Sequence, residues 1–171
     1  MDAFTVSIVI SAPREAIFEY LQDIANHAEF TDHFLVDWNL TRVDPVGRGA
    51  GARFRVDAPL NRFSWAEVTF AEVEPPHRIV EVGRTGKSNR IRTLGVWQLD
   101  PAPAGATRVS FTLQTWPATF SDRLMESFGA RSWMRRRHQR VLRRLRAILE
   151  QDGSAPTRAA KRGARVTVAG G

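Results

Sequence analysis

Residues 91–116 read IRTLGVWQLDPAPAGATRVSFTLQTW, and their pattern decides the fold. Two runs alternate apolar with polar residues. Thr93, Trp97 and Leu99 share one side of the first run; Val109, Phe111 and Leu113 share one side of the second. Pro101 to Gly105 lies between them as a turn, so the stretch is an antiparallel hairpin whose two sets point the same way. The alternation extends back to Phe34. Turn signals at Pro45-Val46-Gly47-Arg48-Gly49, Pro59-Leu60-Asn61, Pro75-Pro76-His77 and Gly86-Lys87-Ser88-Asn89 divide residues 34–116 into six strands. A seventh, in residues 2–10, places Phe4, Val6, Ile8 and Ile10 on one face. Phe54 and Val56 are inner-face positions by the same rule. Arg53, Arg55 and Asp57 fall on the solvated side, unless a bulge flips the strand.

Helical spacing appears on either side of the strands. Pro13 opens a helix carrying Ile17 and Leu21, and Asp23 can cap a second short one running to about Phe30. From Thr119 to Gln151 the apolar residues Leu124, Phe128, Met134, Val141, Leu142, Leu145, Ile148 and Leu149 form a stripe. A straight helix of that length would run roughly 50 Å at 1.5 Å per residue, so a bend is expected at Gly129. Residues 153–171 hold almost nothing to bury. The expected organisation is a ligand-binding domain over residues 1–152 and a disordered basic tail over 153–171. The fold class is α+β: a curved seven-stranded antiparallel sheet, two short helices after the first strand, and one long C-terminal helix. Such a sheet and helix leave a space between them, and an apolar inner face makes that space a cavity.

The 171 residues are 43% hydrophobic and 25% charged, enough for one domain with a sizeable core. There is no cysteine, which excludes disulfide scaffolds, thiolate zinc sites and cysteine nucleophiles. The opening MDAFTVSIVI reads as a strand, not a signal peptide, and no run reaches the roughly 20 apolar residues of a membrane span. The expectation is a cytoplasmic protein in which the sequon Asn39-Leu40-Thr41 is idle. The net charge of +7 is uneven: residues 131–165 carry +10 and residues 1–130 carry −3. Basicity therefore belongs to the C-terminal fifth.

Several stretches in this order resemble the START-like helix-grip superfamily, also called SRPBCC, in its polyketide cyclase/dehydrase and lipid-transport branch. They are Ile8 to Asp23, with SAPREAIFEYLQD; Glu67 to Ile79, with EVTFAEVEPPHRI; Gly95 to Leu99; Ala106 to Thr112; and a basic amphipathic helix ending Leu142-Arg143-Arg144-Leu145-Arg146. The resemblance covers residues 2–151. It implies a helix-grip fold and a cavity for a small hydrophobic molecule, such as a sterol, lipid, polyketide or hormone. It carries over no catalytic set, because no invariant one spans the family.

Alternation and the stripe select Phe54, Val56, Trp97, Leu99, Phe111, Leu113, Phe128, Met134, His138 and Leu145 as ligand-facing candidates. His138 sits on the buried stripe, four residues after Met134. There it is either a core histidine satisfied by the backbone or a group that meets the ligand. His33, Glu67 and His138 are the candidates for proton chemistry, and no nucleophile–base motif accompanies them. His27, Glu29, Asp32 and His33 cluster, but the histidines lack zinc-helix spacing and read as rim or capping groups, with no metal and no cofactor expected. Gly83-Arg84-Thr85-Gly86-Lys87-Ser88 lacks the first glycine of a phosphate loop and precedes a strand, so it reads as a hairpin turn. Gly47 to Gly51 reads as a flexible turn near the cavity mouth.

Three functions remain open: binding or carriage of a hydrophobic ligand; cyclisation, aromatisation or dehydration of a polyketide in the same cavity; and electrostatic attraction to anionic membrane or nucleic acid. The last would use Arg131, Arg135, Arg136, Arg140, Arg143 and Arg146 on the basic helix. No specific nucleic-acid module is present. Monomer and homodimer are both compatible with the sequence.

Overall fold

The computed structural model describes residues 2–58, 64–117 and 129–152. Strand β1 (Phe4–Ile10) leads into α1 (Arg14–Gln22), a single 3-10 turn (Ile24–Asn26) and α2 (His27–Thr31). Six strands follow: β2 (Leu35–Leu40), β3 (Gly51–Val56), β4 (Trp65–Glu74), β5 (Arg78–Thr85), β6 (Ile91–Pro101) and β7 (Thr107–Trp116). Helix α3 (Ala130–Asp152) closes the described chain. It begins directly after Gly129, whose φ of +80° lies in the left-handed region that favours glycine. The expected helical residues before Gly129, and the tail over 153–171, lie outside the described residues.

All strands pair antiparallel in one open, curved sheet, in the order β1-β7-β6-β5-β4-β3-β2. Helix α3 lies against β1 and α2. Register then sets which side chains meet on the inner face. Ile79, Trp97, Phe111 and Val6 form one row across β5, β6, β7 and β1; Glu81, Gly95, Leu113 and Phe4 form the next; Gly83, Thr93 and Thr115 form a third. In β4 the register shifts between Phe70 and Glu72. Ala71 is the extra residue, and the bulge allows both Phe70 and Val73 to pack into the core despite opposite parity.

Asp23 caps the 3-10 turn as its carboxylate accepts the Ala25 amide at 3.0 Å. The Gly83–Ser88 stretch is a hairpin connection, with β5 ending at Thr85 and a 3-10 turn at Lys87–Asn89. The Gly47–Gly51 segment departs from its expectation. Its amides bond Gln22 and Phe70 carbonyls, and Val46 bridges to Asp23. These bonds fasten it to α1 and β4 at the densely packed end of the sheet, away from the half-buried end.

Candidate functional site

The inner face has two ends of different character. At one end Phe70, Ile79, Trp97, Leu99, Val109 and Phe111 are all buried, packed against Phe30 and α1. At the other, Ala66, Val68, Gly83, Thr85, Ile91, Thr93, Leu113 and Thr115 are only half-buried. Trp133 and Met134, from the first turn of α3, pack against the core as partly buried groups. Large aromatic and aliphatic groups fill the first end; Gly83, Thr85, Thr93 and Thr115 stand among smaller apolar groups at the second.

Glu81 stands at the boundary. Its side chain is 13% exposed, with apolar Ile79, Trp97 and Leu113 at neighbouring inward positions. Trp97 Nε1–H donates to Glu81 Oε1. The Oε2 atom lies over β6 at Gly95: a Cβ there would stand 2.9 Å from Oε2 and 3.1 Å from the Phe111 ring, so a neighbour would have to shift. Burial pushes the carboxyl up from 4.5 to about 7, and the Trp97 bond only partly opposes this by favouring the ionised form. Near neutral pH this group can give or take a proton.

Two histidines are buried on the same side of the sheet, His27 near Glu81 and His138 against Phe111. His27 Nε2–H donates to the Leu21 carbonyl at 2.8 Å, which leaves Nδ1 an acceptor 3.9 Å from Glu81 Oε1. That is beyond hydrogen-bond reach. Burial lowers His27 to about 4, so at neutral pH it is uncharged and forms no ion pair with Glu81. His138 donates Nδ1–H to the Met134 carbonyl at 2.9 Å and stacks on Phe111 with ring centroids 5.0 Å apart. Phe4 and Phe34 meet its ring edge-on. Burial lowers it to about 4 as well.

The structure sorts the sequence candidates. Trp97, Leu99, Phe111 and Leu145 are fully in the core, and Val56 is 8% exposed. Phe54, Leu113 and Met134 are partly buried against that core, with Phe54 against Trp38 at 4.6 Å. Phe128 lies outside the described residues. His138 is part of the buried stripe, with its backbone partner one turn earlier. His33 is half-buried, its Nε2–H donating to the Arg137 carbonyl at 3.3 Å, and burial lowers its pKa.

Glu67 is corrected: it is exposed on the outer face, because its neighbours Ala66 and Val68 take the inward positions. His27 is corrected from a rim group to a core one, only 5% exposed, with its ring among Phe30, Phe70 and Trp97. Sequence reasoning missed Glu81. Its one signal is parity with Ile79 and Gly83, and with Val80 and Val82 on the alternate positions the run alone does not say which set faces inward. Among the described residues no group of three or more histidines and carboxylates is placed to hold a metal. No described helix is long and apolar enough to cross a membrane.

The sequence matches the family profile described as polyketide cyclase / dehydrase and lipid transport over residues 1–150. The chain belongs to this family. Solved structures agree on the fold of this polyketide cyclase/dehydrase-like protein. The KanY protein is 18% identical, with a TM-score of 0.69 over 87% of this chain and 97% of that one. TTHA0849 from Thermus thermophilus is 16% identical, with a TM-score of 0.65 over 91% of this chain and all 100% of that one. DynU16, from the dynemicin biosynthetic locus, is 19% identical with a TM-score of 0.59; the match covers 89% of this chain but 48% of DynU16. No curated protein matches the sequence at a significant level.

Proposed function

We propose that the protein binds a small hydrophobic or aromatic molecule, polyketide- or lipid-like in class and bearing a carbonyl or hydroxyl, against the half-buried end of the inner face. Glu81 supports this reading most. A lone carboxyl on an apolar sheet face is costly unless something uses it. Here it sits where the packed aromatics give way to Gly83, Thr93, Gly95 and Thr115. Its neutral form offers an O–H donor to a ligand carbonyl, and Leu113, Phe54 and Met134 supply apolar contact. His138, held between three phenylalanines, shapes the floor.

A second reading, cyclisation or dehydration of the bound ligand, is favoured by the position of the Glu81 proton equilibrium. As an acid, Glu81 would protonate the oxygen of the carbonyl whose carbon accepts the new carbon–carbon bond as the C=O π bond breaks, or a departing hydroxyl. As a base, it would take the proton from the carbon next to a carbonyl. Such catalysis is typically worth about 10²–10⁴-fold. The exposed Arg135, Arg136, Arg140 and Arg143 on α3 favour a weaker, salt-sensitive attraction to anionic membrane or nucleic acid.

The test begins with native mass spectrometry and solvent extraction of what copurifies, then a panel of sterols, fatty acids and aromatic polyketides. Glu81→Gln mimics the neutral acid and keeps binding. Glu81→Leu weakens carbonyl-bearing ligands by the value of one hydrogen bond, roughly 0.5–1.5 kcal/mol, and spares plain hydrocarbons. In an enzyme Glu81→Gln also abolishes turnover while affinity survives. Failure of the whole panel to bind would overturn the reading.

A further inference from the structure

The outer face of the sheet carries a groove, separate from the inner site. Strand register builds it as two rows. Thr69, Val82 and Leu94 lie side by side across β4, β5 and β6. The next row is Glu67, Arg84, Arg92 and Trp116, across β4 to β7. Together they line a groove of about 560 Å³ whose base includes Gly83 and Thr93. That is within the range of about 300–1,000 Å³ typical of small-molecule sites. These seven side chains have the parity opposite to Ala66, Val68 and Glu81, so the sheet itself separates the groove from the inner site.

The first row is apolar at its centre. Val82 is 45% exposed, and Leu94 beside it is half-buried. In the second row Trp116 is 38% exposed. Next to this wall stand two cations. Arg84 and Arg92 are direct cross-strand partners, an arrangement that brings Cβ atoms to about 5 Å and is unfavourable for like charges. Both are exposed, and among the described residues neither guanidinium makes a hydrogen bond or ion pair. Three other arginines of the same face are engaged: Arg55 with Asp37 at 2.7 Å, Arg78 with Glu72 at 3.2 Å, and Arg53 over the Trp65 ring at 4.7 Å. Glu67, at the end of the row, adds one negative charge opposite Arg84 and so disfavours a doubly charged guest.

We infer that this outer groove binds a small planar monoanion: an aromatic body carrying one carboxylate or sulfonate group. The anionic group is held between Arg84 and Arg92, where it relieves their mutual repulsion, and the ring lies on Val82, Leu94 and Trp116. Two guanidiniums in register suit the two or three oxygens of such a group.

The probe is 2-naphthoate, with 2-naphthalenesulfonate as the alternative anion and 2-naphthalenemethanol as the uncharged counterpart. Binding is followed by titration calorimetry and tryptophan fluorescence on the full chain. Both anions bind, and their ratio shows which anionic group is preferred. The alcohol binds at least tenfold more weakly. Arg84→Gln and Arg92→Gln each weaken 2-naphthoate at least tenfold while leaving the melting temperature unchanged or raised, because a like-charge pair is lost. Glu67→Gln strengthens binding several-fold. Arg108→Gln, an exposed outer-face arginine away from the groove, changes nothing. Glu81→Leu also leaves 2-naphthoate untouched, which separates failure here from failure of the inner-site reading. Equal affinity of the arginine variants, equal binding of the alcohol, or loss of 2-naphthoate in Glu81→Leu would overturn the inference. So would a dimer in sedimentation that Arg92→Gln dissociates, since that assigns the groove to a second copy.

Discussion

The two ends of the inner sheet face are built from the same strands and differ in what they leave for another molecule. At the Trp97 end the inward positions Ile79, Trp97, Leu99, Val109 and Phe111 are buried large apolar groups. Phe111 packs on Trp97 at 4.5 Å and on His138 at 5.0 Å, and Leu99 and Val109 have no solvent exposure. Four residues along the same strands, the inward positions become Thr93, Gly83 and Thr115. A strand thus serves as core at one end and as site lining at the other without any change in backbone plan. Glu81 sits between them. It is far enough into the core for burial to raise its pKa to about 7, and close enough to the half-buried end to meet a guest.

The comparison breaks first, and most severely, at Phe111. Phe111→Ala removes a ring shared by Trp97 and His138, and is expected to cost about 3–5 kcal/mol in urea unfolding. A cost below about 1 kcal/mol would mean that end is not tightly packed.

The next effect is Glu81→Gln, and its sign depends on pH. Glu81 is raised from 4.5 to about 7, so its contribution to stability is fully present below 4.5 and is lost as pH rises through about 7. Glu81→Gln should therefore stabilise the fold by up to about 3 kcal/mol at pH 8 and change little near pH 4. His27 and His138 work the other way. Both fall from 6.5 to about 4, so their contribution is present above 6.5 and is lost as pH falls through about 4. Two histidines outweigh one carboxyl between pH 4.5 and 6.5, so net stability decreases on acidification in that window. Denaturant midpoints across pH 4–8 for both proteins check all three groups.

Gly95→Ala sharpens the boundary itself. The new Cβ meets the Glu81 carboxyl at 2.9 Å and the Phe111 ring at 3.1 Å, and must displace one of them. A loss of about 1–3 kcal/mol is expected, with the Glu81 titration moving toward the ordinary carboxylate range as the group is pushed outward. Smallest is Thr93→Val at the half-buried end, which should stay within about 0.5 kcal/mol in stability yet alter affinity for carbonyl-bearing ligands. A large stability loss there would mean the residue is core and the two ends are alike.

Most of the architecture was legible in the sequence because it rests on periodicity. Seven alternating runs, Pro13 at the head of α1 and Gly129 before α3 all report local backbone preferences, and the structure follows them. The histidine on the α3 stripe was legible for the same reason. Glu81 was hidden because facing depends on register between strands, not on one strand's composition: Val80 and Val82 disguised a parity that becomes clear only when β5 is laid against β6. Glu67 erred in the mirror sense, as a carboxylate whose outward facing is set by Ala66 and Val68. His27 looked like a surface group in a polar cluster, but α2 turns its ring under the sheet onto Phe70 and Trp97. The outer groove was invisible in the same way, since Arg84, Arg92 and Trp116 meet only through pairing.

The central claim is that a guest occupies the half-buried end beside Glu81, and methyl-resolved NMR tests it most directly. Titration of the uncharged ketone 2-acetylnaphthalene into protein labelled at Ile, Leu and Val methyls should shift Val68, Ile91 and Leu113 and leave Ile79, Leu99 and Val109 still. The Glu81 carboxyl carbon should change its titration in the same experiment. Shifts confined to Val82 and Leu94 on the outer face, or a Glu81 carboxyl that titrates like an exposed one and ignores the ketone, would contradict the account.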